Sequence, residues 1–177
     1  YSPIEIYMYI SSHRKLFDKL KSLDIVSATK GEGAVPFSTI SDELEKMTIE
    51  KTGRLFNMKE LCSTFNKKLV CCTYNTTDGC MEYISDDSDI PCIIALKMSS
   101  NLPVIFEDFK YGRSYYIDGG IGDNFPLRYG ESLGEKVLGI CVTYDLTHSF
   151  EDRNLLTYIY KLLFVPIQQM VKTQITN

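Results

Sequence analysis

The sequence predicts an α/β fold of three layers, with helices on both sides of a central sheet. Segments with apolar residues at helical spacing alternate with short apolar runs that are typical of strands. One run, residues 136–144, is apolar almost throughout, which is the pattern of a strand buried on both faces of a parallel sheet. The chain has 177 residues and no repeat or obvious linker, so we expect a single domain.

The first half of the chain carries clear signals for three helices. Ser2, Pro3 and Glu5 form a capping-box pattern, and apolar spacing extends that helix to about residue 21. A second helix is predicted over residues 41–53, and a third over residues 58–65.

A hairpin follows, with strands at residues 68–76 and 80–85 around an Asp-Gly turn. Residues 91–100 then form an apolar helix, predicted to be buried. Two extended pieces, at residues 104–109 and 113–118, complete this part of the chain. Asn75 also begins an N-glycosylation pattern, which matters only if the protein is secreted.

Two more helices are predicted near the end of the chain. The first covers residues 126–133, and the second covers residues 151–173 with an interruption or kink before Pro166. The apolar face of the second helix favours docking on the core over contact with a membrane.

The most informative stretch is residues 115–127, where a short strand ends on Asp118 and a glycine turn follows. Gly119 and Gly120 permit unusual backbone angles and close approach of another group. Asn124 is predicted to cap the next helix. Asp118 therefore lies at the C-terminal end of a strand, where α/β folds place their ligands and chemistry.

Other candidate nucleophiles and bases have poor context. Residues 130–134 spell G-E-S-L-G, but a helix precedes Ser132, whereas a nucleophile elbow needs a strand before its serine. Asp123 is the competing carboxylate and reads as a capping or solvated group. His13 and His148 are predicted to be surface residues, which leaves no histidine-based triad.

Composition excludes several classes of protein. The net charge of −4 and the pI near 5.2 argue against nucleic-acid binding. No apolar run is long enough for a transmembrane segment, and no signal peptide is visible, which favours the cytoplasm or a host-cell cytoplasm. The six cysteines form no C-x-x-C pair and only two histidines are present, so we predict neither a metal site nor a cofactor.

Three ordered blocks resemble the patatin-like phospholipase family, in the style of its members from large DNA viruses. A-L-K-M-S-S-N-L-P-V-I-F at residues 95–106 is similar to the family's A-x-x-x-S-S-x-x-P-x-x-F block. Y-I-D-G-G at residues 116–120 is similar to its D-G-G/A block, and G-D-N-F-P-L at residues 122–127 to its N-x-P segment. The resemblance covers nearly the whole chain.

The resemblance implies a lipid acyl hydrolase that works through a Ser-Asp dyad, with Asp118 as the catalytic carboxylate and Gly119 and Gly120 completing the motif. The family's glycine-rich oxyanion loop and G-x-S-x-G elbow are absent, so residues 1–177 are expected to be the C-terminal two-thirds of the domain, with the serine upstream of Tyr1. The fragment alone is then expected to be inactive. The implied substrate is a lipid ester or phospholipid, at a membrane surface or free of one. The alternatives are a non-catalytic lipid- or partner-binding module, or an unrelated interaction domain in which Asp118 only caps a turn.

Overall fold

The computed structural model describes residues 2–12, 33, 35–134, 136–142 and 155–176. The chain divides into two compact units, Tyr1–Asp118 and Gly119–Asn177. The described helices and strands are, in chain order, α1 (Pro3–Ser12), α2 (Ser38–Thr52), α3 (Met58–Phe65), β1 (Cys71–Asn75), β2 (Cys80–Ile84), α4 (Cys92–Ser100), β3 (Phe109–Tyr111), β4 (Ser114–Asp118), α5 (Gly120–Asp123), α6 (Leu127–Leu133) and α7 (Leu155–Thr176). This mixture of helices and a sheet confirms the predicted α/β class.

The first unit holds a four-stranded sheet in the order β2-β1-β4-β3. The β1–β2 hairpin is confirmed: Asn75 pairs with Cys80, and Gly79 adopts a φ of 68° in the turn, as the Asp-Gly signal predicts. The piece predicted at residues 113–118 forms β4, but the piece predicted at residues 104–109 is wrong over most of its length: residues 103–105 form a turn, in which Val104 has a φ of 72°, and β3 begins only at Phe109. β3 pairs with β4, and Gly112 lies between them at a φ of 62°. All three described pairings are antiparallel, so the parallel pairing expected from the sequence is not found among these strands.

The core of this unit lies between the sheet and α4. Alternate residues of β1 are buried because successive side chains of a strand point to opposite faces. On the helix side, Ala95 and Met98 are completely buried, as the apolar pattern of residues 91–100 predicts. The buried members of this cluster are Met58, Cys71, Ile84, Ala95 and Met98.

Local capping signals set several helix ends. Asn57 and Glu60 form a reciprocal capping box at the start of α3, with hydrogen bonds of 2.7 and 3.2 Å. Gly53 ends α2 in a left-handed conformation, with a φ of 80°. The second helix was predicted to begin at residue 41, whereas α2 begins at Ser38. The described part of α1 ends at Ser12, and the predicted continuation to residue 21 lies outside the described residues.

The side chain of Asn75 is sequestered inside the hairpin. It is 1% exposed, and its amide donates hydrogen bonds to Asp78 Oδ2 at 2.8 Å and to Glu82 Oε1 at 2.7 Å. Both amide hydrogens are therefore engaged, and the nitrogen is not available for glycosylation in the folded chain.

The described part of the second unit is built from helices. Ile167 and Val171, one turn apart on α7, are 5% and 4% exposed, which fits the predicted docking of this helix on a core. Leu162, another apolar residue of this helix, is instead 56% exposed. The helix continues through Pro166, so the predicted interruption is not observed.

The predicted strand at residues 136–144 is wrong over its described part. Residues 136–142 have no regular secondary structure, and Leu138 and Ile140 are 87% and 80% exposed. A strand needs a neighbour to satisfy its backbone groups, and the described residues of the second unit include no strand that could supply one. The segment packs locally through Gly139, where an added Cβ would lie 2.5 Å from the Phe125 ring.

Candidate active site

Asp118 is the last residue of β4, which lies between β1 and β3 in the sheet. The prediction that this carboxylate ends a strand is therefore confirmed. Asp118 is half-buried, and it is paired with Thr73 on the neighbouring strand β1. The Asp118 backbone N–H donates a hydrogen bond of 2.9 Å to the carbonyl oxygen of Asn101. The end of the strand is thus tied both to a neighbouring strand and to the segment that follows α4.

Asn101 supplies a second tie to the same strand. Its side chain is 2% exposed, and Nδ2 donates hydrogen bonds to the carbonyl oxygens of Tyr116, at 3.2 Å, and Glu107, at 3.3 Å. Because both partners are acceptors, they fix which end of the amide is the nitrogen. Asn101 Oδ1 is buried and has no hydrogen-bond partner among the residues that the structure describes.

Thr73 contacts Ile117, which lies between Tyr116 and Asp118 on β4. The hydroxyl of this fully buried side chain lies 2.9 Å from the carbonyl oxygen of Ile117 and 3.0 Å from that of Met98 on α4. The carbonyl groups of residues 116 and 117 and the N–H of residue 118 are therefore all held by buried partners. Neither Asn101 nor Thr73 was singled out from the sequence for this role, because it depends on contacts between distant segments.

The two motif glycines open the second unit, directly after Asp118 in sequence. Gly119 is buried and adopts φ −66° and ψ −20°, a right-handed helical conformation open to any residue. Neither it nor Gly120 has a positive φ, so the predicted use of unusual backbone angles is wrong here. The turn is also shorter than expected, because α5 already begins at Gly120.

Asn124 does not have its predicted role as the cap of the next helix. Asn124 ends α5 in a right-handed conformation. Pro126 is the residue just before α6, and no side chain caps that helix. Asp123, the competing carboxylate, is the last residue of α5, and its Oδ1 accepts a hydrogen bond of 3.2 Å from Gln174 of α7. It is therefore engaged within the second unit.

The rejected serine lacks the geometry of a nucleophile elbow. Ser132 lies in the last turn of α6, and its hydroxyl donates to the carbonyl oxygen of Tyr129 at 2.6 Å. Ser100, at the end of α4, likewise donates to the carbonyl oxygen of Leu96 at 2.6 Å. His13 and His148 lie outside the described residues.

Three of the six cysteines, Cys62, Cys71 and Cys92, are poor candidates for a nucleophile, because burial hinders ionisation to the reactive thiolate. Burial raises the pKa of Cys71 to about 11. Burial also raises the pKa of Cys92 and the pKa of Cys62. The nearby Asp86 carboxylate raises the pKa of Cys62 further. All six cysteines are free thiols.

Lys97, on the helix that leads to Asn101, forms an ion pair with Glu107. Lys97 Nζ is 2.7 Å from Glu107 Oε1, and it lies 4.6 and 5.3 Å from the ring centroids of Phe109 and Phe37. Glu107 also accepts a hydrogen bond from the Phe37 backbone N–H. Burial alone would raise the pKa of Glu107, but the hydrogen bonds from Lys97 and Phe37 outweigh it and lower that pKa.

This pair gives a pH-dependent contribution to stability. Because the folded-state pKa of Glu107 is lowered, the contribution is fully present above the ordinary glutamate pKa of 4.5 and is lost as the pH falls through the folded value. We expect Glu107→Gln to lower Tm near neutral pH, and the difference from wild type to shrink below pH 4.5. Thermal melts of the full-length protein across the acidic range test this, with the exposed Glu50→Gln as the matched control. A Tm difference that stays constant with pH would contradict it.

These features define an α/β protein with an aspartate at a strand end, a backbone tied there by hydrogen bonds, and a glycine pair after it. Residues 15–130 match the family model described as patatin-like phospholipase, and the chain belongs to that family. It is 34% identical over 136 residues to a protein named "Probable lipid hydrolase 463L" from Invertebrate iridescent virus 6. That match covers 72% of this chain and 45% of the viral protein, so the chain spans about half of its relative's length. No helix in the described part of the chain is both long enough and apolar enough to cross a membrane.

Proposed function

We propose that this chain supplies the catalytic carboxylate of a lipid acyl hydrolase, with Asp118 as one half of a Ser-Asp dyad. The observation that carries the proposal is the position of Asp118 at the end of β4, inside the D-G-G block of a patatin-like chain. The name of the viral relative, a lipid hydrolase, supports a lipid ester as substrate. Membership of a phospholipase family supports a phospholipid among such esters.

In the proposed reaction, the Asp118 carboxylate takes the proton of the serine hydroxyl while the serine oxygen attacks the ester carbonyl carbon. The alcohol portion of the lipid leaves with that proton, and an acyl-serine remains. Water then attacks the acyl group while Asp118 takes a proton from it, and Asp118 returns that proton to the serine oxygen as the fatty acid leaves. A carboxylate is a weak base, so this chemistry needs a fixed position close to the serine. The buried ties around residues 116–118 are suited to that requirement.

We propose further that residues 1–177 are the C-terminal part of one three-layer patatin-like domain, whose nucleophile elbow precedes Tyr1. The unpaired, exposed apolar residues of the 136–142 segment support this, because a partner strand from preceding sequence would cover them. The proposed setting is cytoplasmic, at a membrane surface or on dispersed lipid. The six free thiols are in keeping with a reducing compartment.

This arrangement predicts how the isolated chain behaves. We expect residues 1–177 alone to show no ester hydrolysis, since they hold one half of the dyad, and to melt broadly or aggregate because apolar segments stay exposed. Calorimetry and an esterase assay on purified material, beside the full-length protein, test both points. A sharp cooperative melt would contradict the structural part, and hydrolysis would contradict the missing-nucleophile part.

The function itself is tested in the full-length protein. The sequence encoded just before Tyr1 is expected to contain G-x-S-x-G after a predicted strand, and its serine is expected to react with a fluorophosphonate probe. Phospholipid vesicles and a short-chain p-nitrophenyl ester serve as substrates. Absence of the upstream motif, together with lipid binding but no hydrolysis, would instead indicate a non-catalytic lipid- or partner-binding module.

A further inference from the structure

We propose that Asn101 is a positioning residue for Asp118, holding the end of β4 in the geometry that the dyad requires. The inference rests on the proposed function, and it assigns a specific role to one of the residues that tie residues 116–118. Asn101 does not act on the substrate in this proposal. It acts through the backbone of Asp118.

The first argument is the spacing of its contacts along β4. The carbonyl oxygen of Asn101 accepts from the Asp118 N–H at 2.9 Å, and its side-chain Nδ2 donates to the carbonyl oxygen of Tyr116 at 3.2 Å. Asn101 therefore makes hydrogen bonds to β4 at two positions, Asp118 and Tyr116. A displacement of about 1 Å in a reacting group can cost about a hundredfold in rate, so a fixed backbone here has a direct catalytic consequence.

The second argument is that helix capping does not explain this side chain. Asn101 follows α4 at its C-terminal end with φ −78° and ψ 78°, outside the left-handed region in which asparagine is favoured. Asn66 shows that favoured use after α3, with a φ of 50°. The Asn101 amide instead donates to Glu107 and Tyr116, and both of these residues lie beyond its helix in sequence.

The third argument concerns the cost of burying this group. Asn101 is 2% exposed, and its Oδ1 is left without a hydrogen-bond partner in the described part of the chain. An unsatisfied buried oxygen destabilises the fold, whereas an apolar side chain of similar size would carry no such penalty. The amide is useful because it is a short neutral group that provides two N–H donors, and both are used on backbone carbonyl oxygens, those of Tyr116 on β4 and of Glu107.

The experiment compares Asn101→Ala with Asn57→Ala in the full-length protein. Asn57 is a matched control because its side chain also bonds to the backbone, accepting a hydrogen bond from the Glu60 N–H in the capping box of α3, and it has no part in the proposed site. Steady-state kinetics with a p-nitrophenyl ester are measured well below the Tm of each variant. We expect Asn101→Ala to lower kcat by about a hundredfold with KM changed less than about threefold, and Asn57→Ala to change kcat by less than about threefold. A general loss of stability would not produce this difference.

A milder variant covers the case in which Asn101→Ala fails to fold. Asn101→Ser keeps a hydroxyl donor and is expected to give a kcat between those of wild type and Asp118→Asn. If either Asn101 variant has the kcat of Asn57→Ala while Asp118→Asn is inactive, the positioning role is overturned and the dyad stands. If Asp118→Asn keeps wild-type activity, the proposed function itself fails.

Discussion

Replacing Asp118 with Asn in the full-length protein is expected to lower kcat for ester hydrolysis by about a thousandfold or more. The substitution keeps the size of the side chain and the backbone N–H that bonds to Asn101, but it removes the proton acceptor. The fold should survive, so Tm is expected to change little, and labelling of the upstream serine by a fluorophosphonate should slow in parallel with kcat. The measurement is a pair of rate assays, one with ester substrate and one with the probe.

The matched control for this substitution is Asp123→Asn. Asp123 lies in the same stretch of sequence and accepts a hydrogen bond from Gln174 through Oδ1, and the asparagine oxygen can accept the same bond. We expect activity within about threefold of wild type. Near-normal activity of Asp118→Asn, or an equal loss of activity in Asp118→Asn and Asp123→Asn, would contradict the assignment of Asp118 as the base.

The second large effect is expected on stability, from Met98→Ala. Met98 is completely buried between α4 and the sheet, in the cluster that includes Met58 and Ile84. Removing most of this side chain leaves a cavity, which should lower the free energy of unfolding by about 2–5 kcal/mol. Because a domain is stable by only about 5–15 kcal/mol, urea unfolding of the full-length protein should show a clear loss.

Met8→Ala is the matched control, since Met8 lies on α1 and is 64% exposed. The same chemical change at an exposed position should alter the free energy of unfolding by about 0.5 kcal/mol or less. Similar losses for Met98→Ala and Met8→Ala would show that the sheet–α4 cluster is not the main source of stability. The Met98 carbonyl oxygen also accepts a hydrogen bond from Thr73, whose hydroxyl contacts Ile117 of β4. A rearrangement of this cluster is therefore expected to disturb the end of β4 as well.

Local signals in the sequence were sufficient for much of the first unit. The Asp-Gly turn of the hairpin, the Asn57–Glu60 capping box and the left-handed Gly53 each depend on residues within a few positions of one another. Such interactions are encoded by spacing and residue type, so the elements they determine can be predicted without the fold. The end of β4 at Asp118 belongs to this group, because strand propensity and the following glycines mark it.

The failures share a different physical cause. Residues 136–142 have the composition of a buried strand, but a strand forms only where a neighbour satisfies its backbone, and composition does not report whether that neighbour is present. Gly119 was expected to use a special backbone angle, and it has an ordinary one, because α5 starts at once after it. Both predictions depended on the surroundings of the segment.

The sequence by itself determined the α/β class, through the alternation of helical and strand patterns along the chain. It also determined the family and the carboxylate on which the proposed chemistry depends, through short ordered motifs around Asp118. Only the tertiary structure decided how that carboxylate is held. Thr73, Asn101 and Asp118 are far apart in sequence, and their hydrogen bonds exist only after the sheet and α4 have packed together. Hydrogen bonds between distant segments leave no periodic pattern in the chain, so the support of Asp118 is visible only in the fold.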